Sequence, residues 1–558
     1  MADKKTEKTA EQIKPIAPSA PNAPKAAIAP KAANVATAVN PPKAANAPKT
    51  ANVPNTQKSP SAAIAQNVSE KTINLCIRRG LIFPSSEIYG SPGGFFDYGP
   101  IGVEIKRNLE ALWWKHFVRD REDIAGMEGS LINVPEIWKA SGHVESFNDP
   151  LVECKKCKKR FRADHLVEGA LKISVDGLPL SKVQELMTQH KIVCPDDKGE
   201  LSSIKSFNLM FKTHIGAVED EKSEAYLRPE TAQLIFTNFK MVQMAARKKL
   251  PFGIAQIGKA FRNEIAPRNF VFRCREFGQM EIEYFVHPKK LNECPHIDSV
   301  SNVSIPVCTA EMQAQGKNDE TKAITINDGL KTKVFGTQWH AYWLATCVNW
   351  FVSIGIRKEN LRLRQHTKDE LSHYSSETWD IEYKYPWGWK ELMGIANRSD
   401  FDLKQHTKFS GKDLSIFDDE AKERITPHVI EPSFGLDRLL FTLLMDAYSE
   451  KVEDGESKTI LKLHSDLAPA KVAVFPLMKK DGLSEKAKEI YGILKTKAKC
   501  EYDEAGSIGK RYARTDEVGI KWAVTIDYDT LKDGTVTIRD RDTAKQERIK
   551  VSDIIQKI

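Results

Sequence analysis

Residues 270–285, FVFRCREFGQMEIEYF, alternate between two kinds of side chain. Successive residues of a strand face opposite ways. One face would collect Phe270, Phe272, Cys274, Met280, Ile282 and Tyr284, which suits a core. The other would collect Arg273, Arg275, Phe277, Gln279, Glu281 and Glu283, an aromatic ring set between arginines and glutamates. Arginine stays charged, so each one needs water or an anion. The preceding stretch, AQIGKAFRNE, places Arg262 and Glu264 opposite Ile257 and Phe261, and the loop IAPRN adds Arg268. Two strands joined by a basic loop, each presenting arginine to one side, can clamp a phosphate. A solvated sheet face is the competing reading of the same residues. In WDIEYKY (379–385), Trp379, Ile381, Tyr383 and Tyr385 share a face and charges take the other. Both stretches predict a mostly antiparallel sheet with one face buried.

At 558 residues the chain has length for two to four domains. Its net charge of +8 permits a polyanionic partner without demanding one. Nine scattered cysteines do not read as a disulfide framework and point to a reducing, cytoplasmic setting. The longest apolar run, YWLATCVNWFVSIGI (342–356), carries Asn349 and Ser353 and reads as a buried helix rather than a membrane span. No secretory signal is expected, because the N-terminus lacks a continuous apolar segment.

Residues 1–66 are rich in alanine, proline and lysine, as in PIAPSAPNAPKAAIAPK, and are expected to be a disordered tail. From about residue 70 the chain reads as globular. A glycine- and aromatic-rich loop (89–100) leads into a helix with Ile105, Leu109, Leu112, Trp113 and Phe117 on one face. LINVPEIWKASGH (131–143) reads as a strand interrupted by Pro135, which suits an edge or an interface. Segments near 150–225 and 290–335 read as irregular insertions in a unit spanning 67–464. Residues 465–558 then switch to strand, helix, helix, strand and a hairpin turning at Asp533-Gly534: a small α/β domain.

Several stretches converge on one family. Phe261-Arg262-Asn263-Glu264, a loop, then Arg275-Glu276-Phe277 resembles motif 2 of class II aminoacyl-tRNA synthetases. EPSFGLDRLL (431–440), read as a short loop entering an apolar helix, resembles motif 3 with Arg438 as its arginine, and the Pro135 segment resembles motif 1, which lies at the dimer interface in that class. YLRPETAQLIFTNF (226–239), WKELMGIANRSDFDL, SGHVESFNDP and FRADHL narrow the resemblance to homodimeric glycyl-tRNA synthetases over roughly residues 70–558.

The resemblance implies an α+β catalytic domain with a mainly antiparallel sheet, followed by an α/β anticodon-binding domain. It implies formation of glycyl-adenylate from glycine and ATP, then transfer to the 3′ end of tRNA(Gly). By the same resemblance Arg262 meets the α-phosphate and Arg438 the terminal phosphates. Arg273 and Cys274 touch the nucleotide, Phe277 stacks on adenine with Asn263 and Glu264 at its edge, and Glu391 with Leu392 completes the ATP site. Glu391 is also the candidate Mg²⁺ ligand. Glu230, Glu281, Glu431, Pro432 and Ser433 would surround glycine, with Arg162 and Arg398 nearby. Alignment and electrostatics suffice for this chemistry, so no nucleophile is expected. Lys510, Arg511 and Arg514 would contact the RNA backbone.

Cys154 and Cys157 form a CxxC and Cys194 opens CPDD, but Asp197 stands where a fourth cysteine would complete a structural zinc site. His165 and His190 lie nearby in sequence. The expectation is a degenerate zinc ribbon without metal. Two alternatives remain: another class II synthetase sharing the C-terminal domain, or a non-catalytic synthetase-like nucleic-acid-binding subunit. The second would be free to lose Arg262, Glu264, Glu391 and Arg438, all of which stand here.

Overall fold

The computed structural model describes residues 60–558 apart from 172, 174, 176, 177, 419–421 and 454. The alanine- and proline-rich segment through residue 59 lies outside the described residues. Residues 60–66, counted above with the tail, belong to a helix, Pro60–Arg78.

Nine strands build the central sheet: β1 (Ile124–Met127), β2 (Phe252–Phe261), β3 (Glu276–Val286), β4 (Ser304–Cys308), β5 (Lys322–Thr325), β6 (Leu361–Gln365), β7 (Glu377–Tyr385), β8 (Gly388–Ser399) and β9 (His428–Gly435). Across the sheet they run β5-β4-β6-β7-β8-β9-β3-β2-β1. All neighbours pair antiparallel except β1 with β2 and β4 with β6. Helices α1 (Pro100–Trp114), α2 (Gln338–Ser353) and α3 (Leu436–Ala447) cover one face, where Met280, Ile282 and Tyr284 share a core with Trp113, Trp343 and Leu440. The fold is therefore α+β with a mainly antiparallel sheet.

The opposite face is not solvated. The helix Ala232–Ala245 packs Ile235, Phe236 and Phe239 against Phe252, Ile254 and Phe285, so Glu281 and Glu283 of β3 lie inside the protein. The charged side of β7 is buried too: Asp380 and Glu382 are covered, and Glu382 pairs with Arg362 at 2.6 Å.

Other expectations are corrected by local geometry. β3 starts at Glu276, because Asn269 and Phe270 take positive φ and a 3₁₀ turn, Phe270–Phe272, breaks the extended run. Pro135 does not interrupt a strand. It opens the helix Pro135–Ala140, where its missing N–H has no partner to lose. EPSFG belongs to β9 rather than to a loop, and α3 follows it directly. Residues near 290–335 are no insertion at the sheet's expense, since β4 and β5 form its edge. The described residues of 150–225 include helices Ala163–Leu171 and Leu180–Gln189 and short antiparallel strands.

The C-terminal sheet comprises β10 (Val472–Pro476), β11 (Cys500–Tyr502), β12 (Trp522–Ile526), β13 (Thr535–Asp540) and β14 (Gln546–Lys550), ordered β11-β10-β12-β13-β14. Helices α4 (Leu483–Lys495) and α5 (Ile508–Glu517) connect its parallel strands. Asp533-Gly534 does not turn a hairpin. Gly534, at φ +70°, caps the helix Tyr528–Asp533, and the hairpin is β13–β14 beyond it.

Candidate active site

Strand register assembles the site. Gln256 of β2 lies opposite Glu281 of β3, Glu281 opposite Ser433 of β9, and Ser433 opposite Gly394 of β8. A polar row therefore crosses the sheet. Along β3 itself, Phe277, Gln279, Glu281 and Glu283 share a face by the two-residue period. At about 3.4 Å per residue, Phe277 and Glu281 stand about 13 Å apart. One end of the strand offers an aromatic ring and the other carboxylates.

At the carboxylate end, Glu281 accepts four hydrogen bonds. Thr231 N–H (3.1 Å) and the Thr231 hydroxyl donate to Oε2, while Gln279 Nε2 and Ser433 Oγ donate to Oε1 at 2.6 Å each. Glu230 accepts from Gln233 Nε2 at 3.0 Å and lies 3.3 Å from His143 Nε2. Burial pushes its pKa up, but His143 and Arg398 outweigh that and hold it below the usual carboxylate range. Arg398 donates to Glu431 (2.8 Å) and to Asp402 (2.8 and 2.9 Å), with Tyr374 stacked beneath its guanidinium. Glu431 is nevertheless pushed up to about 8, by burial and then by Glu281 and Glu230 against the pull of Arg398. Glu283 is fully buried with neither oxygen hydrogen-bonded, and burial together with Glu431 raises it well above the ordinary range. Five carboxylates (Glu230, Glu281, Glu283, Asp402 and Glu431) thus surround one arginine. The group is short of positive charge.

Arg228 does not neutralise it. Its guanidinium is held at 2.7 to 3.1 Å by Lys259 O, Gly129 O and Gln256 Oε1. A Cβ at Gly258 would fall 2.0 Å from its Nη2, so any side chain at 258 would displace the guanidinium from these partners.

At the aromatic end, two cavities of about 170 and 480 Å³ share Phe272, Arg273, Glu391 and Arg438 along their walls. Arg262 and Phe277 line the first, with the Arg262 guanidinium 5.4 Å from the centre of the Phe277 ring. Arg262 Nε donates to Pro229 O at 3.1 Å, and among the described residues no carboxylate pairs with it. Arg273 approaches Glu264 at 3.3 Å. Arg438, in the first turn of α3, reaches the Glu391 carbonyl at 3.0 Å and its carboxylate at 3.2 Å. Cations and a flat ring face an open space together.

Most residues singled out from the sequence meet here. The backbone N–H of Asn263 donates to Leu209 O at 2.8 Å. The side chains of Leu392 and Cys274 both belong to the core, although Cys274 also lines the first cavity. Pro432 is buried in β9 between Glu431 and Ser433. Arg162 departs from expectation. Its guanidinium is occupied by Asp149 (2.8 Å) and Asp164 (2.5 Å), and the charges acting on Asp149 include Glu264 and Arg273 rather than the glutamates of the row. In the C-terminal unit, Arg511 is 2% exposed and donates to Pro476 O and Gly506 O, so it cannot reach an RNA phosphate. Arg514 is committed to Asp503 and Ala505 O, while Lys510 remains exposed.

Sequence reasoning put Gln279 and Glu283 on the charged face without a role, and missed His143, Thr231, Gln233, Asp402 and Asp437. All five of the missed residues lie inside the stretches SGHVESFNDP, YLRPETAQLIFTNF, WKELMGIANRSDFDL and EPSFGLDRLL. Asp437, next to Arg438 in EPSFGLDRLL, ties β3 to α3 by accepting from Gly278 N–H, and it accepts from the Tyr98 hydroxyl as well. Among the described residues, one group has the composition and closeness to hold a metal: Cys154, Cys157, Cys194 and Asp197, with ligand atoms all within 4.8 Å of one another.

Residues 211–301 match the tRNA synthetase class II core domain (G, H, P, S and T), and residues 471–558 match the anticodon binding domain. Over 491 residues the chain is 47% identical to the glycine–tRNA ligase of Caldanaerobacter subterraneus subsp. tengcongensis, covering 87% of this chain and 96% of that one. It is 47% identical to the glycine–tRNA ligase of Geobacillus thermodenitrificans (85% and 94% covered) and 46% identical to that of Clostridium kluyveri (88% and 97%).

Proposed function

The chain belongs to the glycine–tRNA ligase family of class II synthetases, and from that premise we propose how the charged row of its sheet divides the work. The enzyme joins glycine to ATP, releasing pyrophosphate, and transfers the glycyl group from the adenylate to the 3′ end of tRNA(Gly). Adenine lies against Phe277 with Asn263 and Glu264 at its edge and the Arg273–Cys274 backbone beside it. Arg262 faces the α-phosphate and Arg438 the terminal phosphates. As the glycine carboxylate attacks, negative charge grows on the α-phosphate, and a cation already aimed there lowers the barrier. The glycine ammonium enters among Glu230, Glu281 and Glu431.

The charge imbalance carries this reading: five buried carboxylates around Arg398 stand next to Arg262, which forms no ion pair with any carboxylate among the described residues, so the pocket demands a cation where its neighbour demands an anion. A zwitterion reacting with a phosphate meets both demands. Glu391, a half-exposed carboxylate on the cavity wall, suits a hard cation, and Mg²⁺ held there would neutralise phosphate charge. Arg162 is assigned a positioning role through Asp149 rather than direct contact with glycine. Exposed Lys510 remains the candidate RNA contact on α5.

Leu131, Ile132 and Val134 leave apolar surface exposed beside Pro135 (42, 47 and 50%), which supports a homodimer formed through that segment. No helix among the described residues is long and apolar enough to cross a membrane. With nine free cysteines, a reducing cytoplasmic setting is proposed.

Pyrophosphate exchange with each amino acid in turn tests the assignment. Exchange should depend on glycine, and Glu431→Gln should damage the glycine dependence more than the ATP dependence. The opposite order would overturn the division of the row. Sedimentation of Val134→Asp should show dissociation to monomers, and an unchanged dimer would move the interface elsewhere.

A further inference from the structure

The small unit at 148–208 carries a feature that the synthetase chemistry does not use. Two turns in it are built alike. In the first, Cys154 N–H donates to Lys159 O (2.8 Å) and Lys158 N–H to Cys154 O (3.0 Å), with Lys158 in the left-handed region at φ +61°. In the second, Cys194 N–H donates to Gly199 O (2.9 Å) and Lys198 N–H to Cys194 O (3.0 Å), with Lys198 at φ +60°. Cys157 N–H also donates to the Cys154 sulfur at 3.4 Å, and Gly199 N–H donates to Asp197 Oδ1 at 2.8 Å. Residue for residue, Asp197 occupies in the second turn the place Cys157 holds in the first.

The two turns face each other at the spacing of a tetrahedral ion. For Zn–S near 2.3 Å and Zn–O near 2.0 Å, the edges of a tetrahedron are about 3.8 Å for S···S and about 3.5 Å for S···O. Cys157 Sγ lies 3.7 Å from Cys194 Sγ, and Cys154 Sγ lies 3.4 Å from Asp197 Oδ1. Position 199 leaves no room for a side chain: a Cβ there would fall 2.8 Å from the Cys154 sulfur and 2.9 Å from Asp197 Oδ1. The surrounding core is small, built on Val152, Ala163, Val167, Val175, Val183 and Met187. Units with so little apolar interior commonly need a staple. Lys155, Lys156, Lys158, Lys159 and Lys198 in and beside the two turns offset the negative charge that three thiolates and a carboxylate would leave around a dication.

We propose that Cys154, Cys157, Cys194 and Asp197 bind one structural zinc ion, with the Asp197 carboxylate as a true fourth ligand. This reverses the expectation of a metal-free, degenerate ribbon. The missing cysteine is replaced in place rather than lost. The ion would also serve the active site at one remove. It closes the hairpin of 148–153 and 160–162, whose strands carry Asp149 and Arg162 beside Glu264 and Arg273.

Metal analysis of the full-length enzyme, produced in zinc-supplemented medium and purified without chelator, should find about one zinc per chain. The cobalt(II)-reconstituted enzyme should show the intense ligand-field bands of a tetrahedral site together with thiolate-to-cobalt charge transfer. Asp197→Cys should keep the metal and strengthen the charge-transfer band, whereas Cys157→Ser should lose most of the zinc. Wild-type enzyme without zinc after reconstitution and gel filtration, or an octahedral cobalt spectrum, would overturn the proposal even if the serine variant fails to fold. A Cys157→Ser enzyme that keeps its full zinc content would overturn it as well.

Discussion

Replacing Glu281 by glutamine keeps the shape of the side chain and removes one charge at the centre of the row. Its carboxylate accepts from Thr231 N–H, the Thr231 hydroxyl, Gln279 Nε2 and Ser433 Oγ. An amide brings an NH₂ group where only acceptors now stand. The Thr231 and Ser433 hydroxyls can turn and accept from it, but Thr231 N–H cannot. The substituted side chain will therefore set its carbonyl toward Thr231 and its NH₂ toward Gln279 and Ser433, where a stranded donor costs about 1–3 kcal/mol. For the substrate, the loss is a charge-assisted hydrogen bond of roughly 1.5–3 kcal/mol. At 1.4 kcal/mol per factor of ten, the glycine KM should rise roughly ten- to a hundredfold. The ATP KM should hold, because Phe277 and Arg262 lie at the other end of β3, about 13 Å away. Pyrophosphate exchange, titrated separately in glycine and in ATP, reads both constants. A folded Glu281→Gln enzyme with an unchanged glycine KM, or with both constants raised alike, would refute the reasoning.

Arg262→Ala should slow pyrophosphate exchange about a hundredfold or more, the usual loss for one preorganised donor at a developing charge; near-normal exchange would remove Arg262 from the α-phosphate. With Glu431 titrating at about 8, the glycine KM should fall as pH rises from 6 to 8, by at most about tenfold per unit, while the ATP KM stays level. A flat glycine profile would mean that Glu431 does not meet the ammonium. A chain ending after Pro469, which keeps Leu463 and Leu467 in the main core, should form adenylate but lose most glycylation of tRNA. Equal loss of both activities in a folded truncation would contradict that separation.

The order of the parts was legible in the chain because periodicity is local. Alternation at 277–285 marked which residues share a face of β3, and register then put Ser433 and Gln256 beside Glu281. What alternation cannot report is what lies on top. A charged face reads as solvated unless something distant covers it, and here Ala232–Ala245 does so from a separate part of the chain. The same blindness hid Arg511, whose charge suggested RNA but whose position on α5 points it at the backbone carbonyls of Pro476 and Gly506. Turn chemistry was misread where one residue type serves two purposes: Pro135 begins a helix, and Gly534 ends one. For Asp197 the letters CPDD gave the position of the fourth ligand, but the matching backbone hydrogen bonds of the two turns, on which the zinc proposal rests, are visible only in the structure.

A pocket with more carboxylates than cations holds protons until a substrate supplies the missing charge. Glu431, raised from 4.5 to about 8, contributes stability that is fully present below pH 4.5 and lost as pH rises through 8, because above that range the folded state must keep an ionised group among Glu281 and Glu230. Glycine reverses the loss. Its ammonium brings a positive charge without a side chain that would need room, so binding should release a proton at pH 7 and stabilise the fold more strongly at pH 8 than at pH 6. The buried glutamates are thus poorly matched to the empty protein and well matched to the occupied one. On the proposed assignment, that mismatch ties amino-acid recognition to the same sheet that would aim Arg262 at the phosphate.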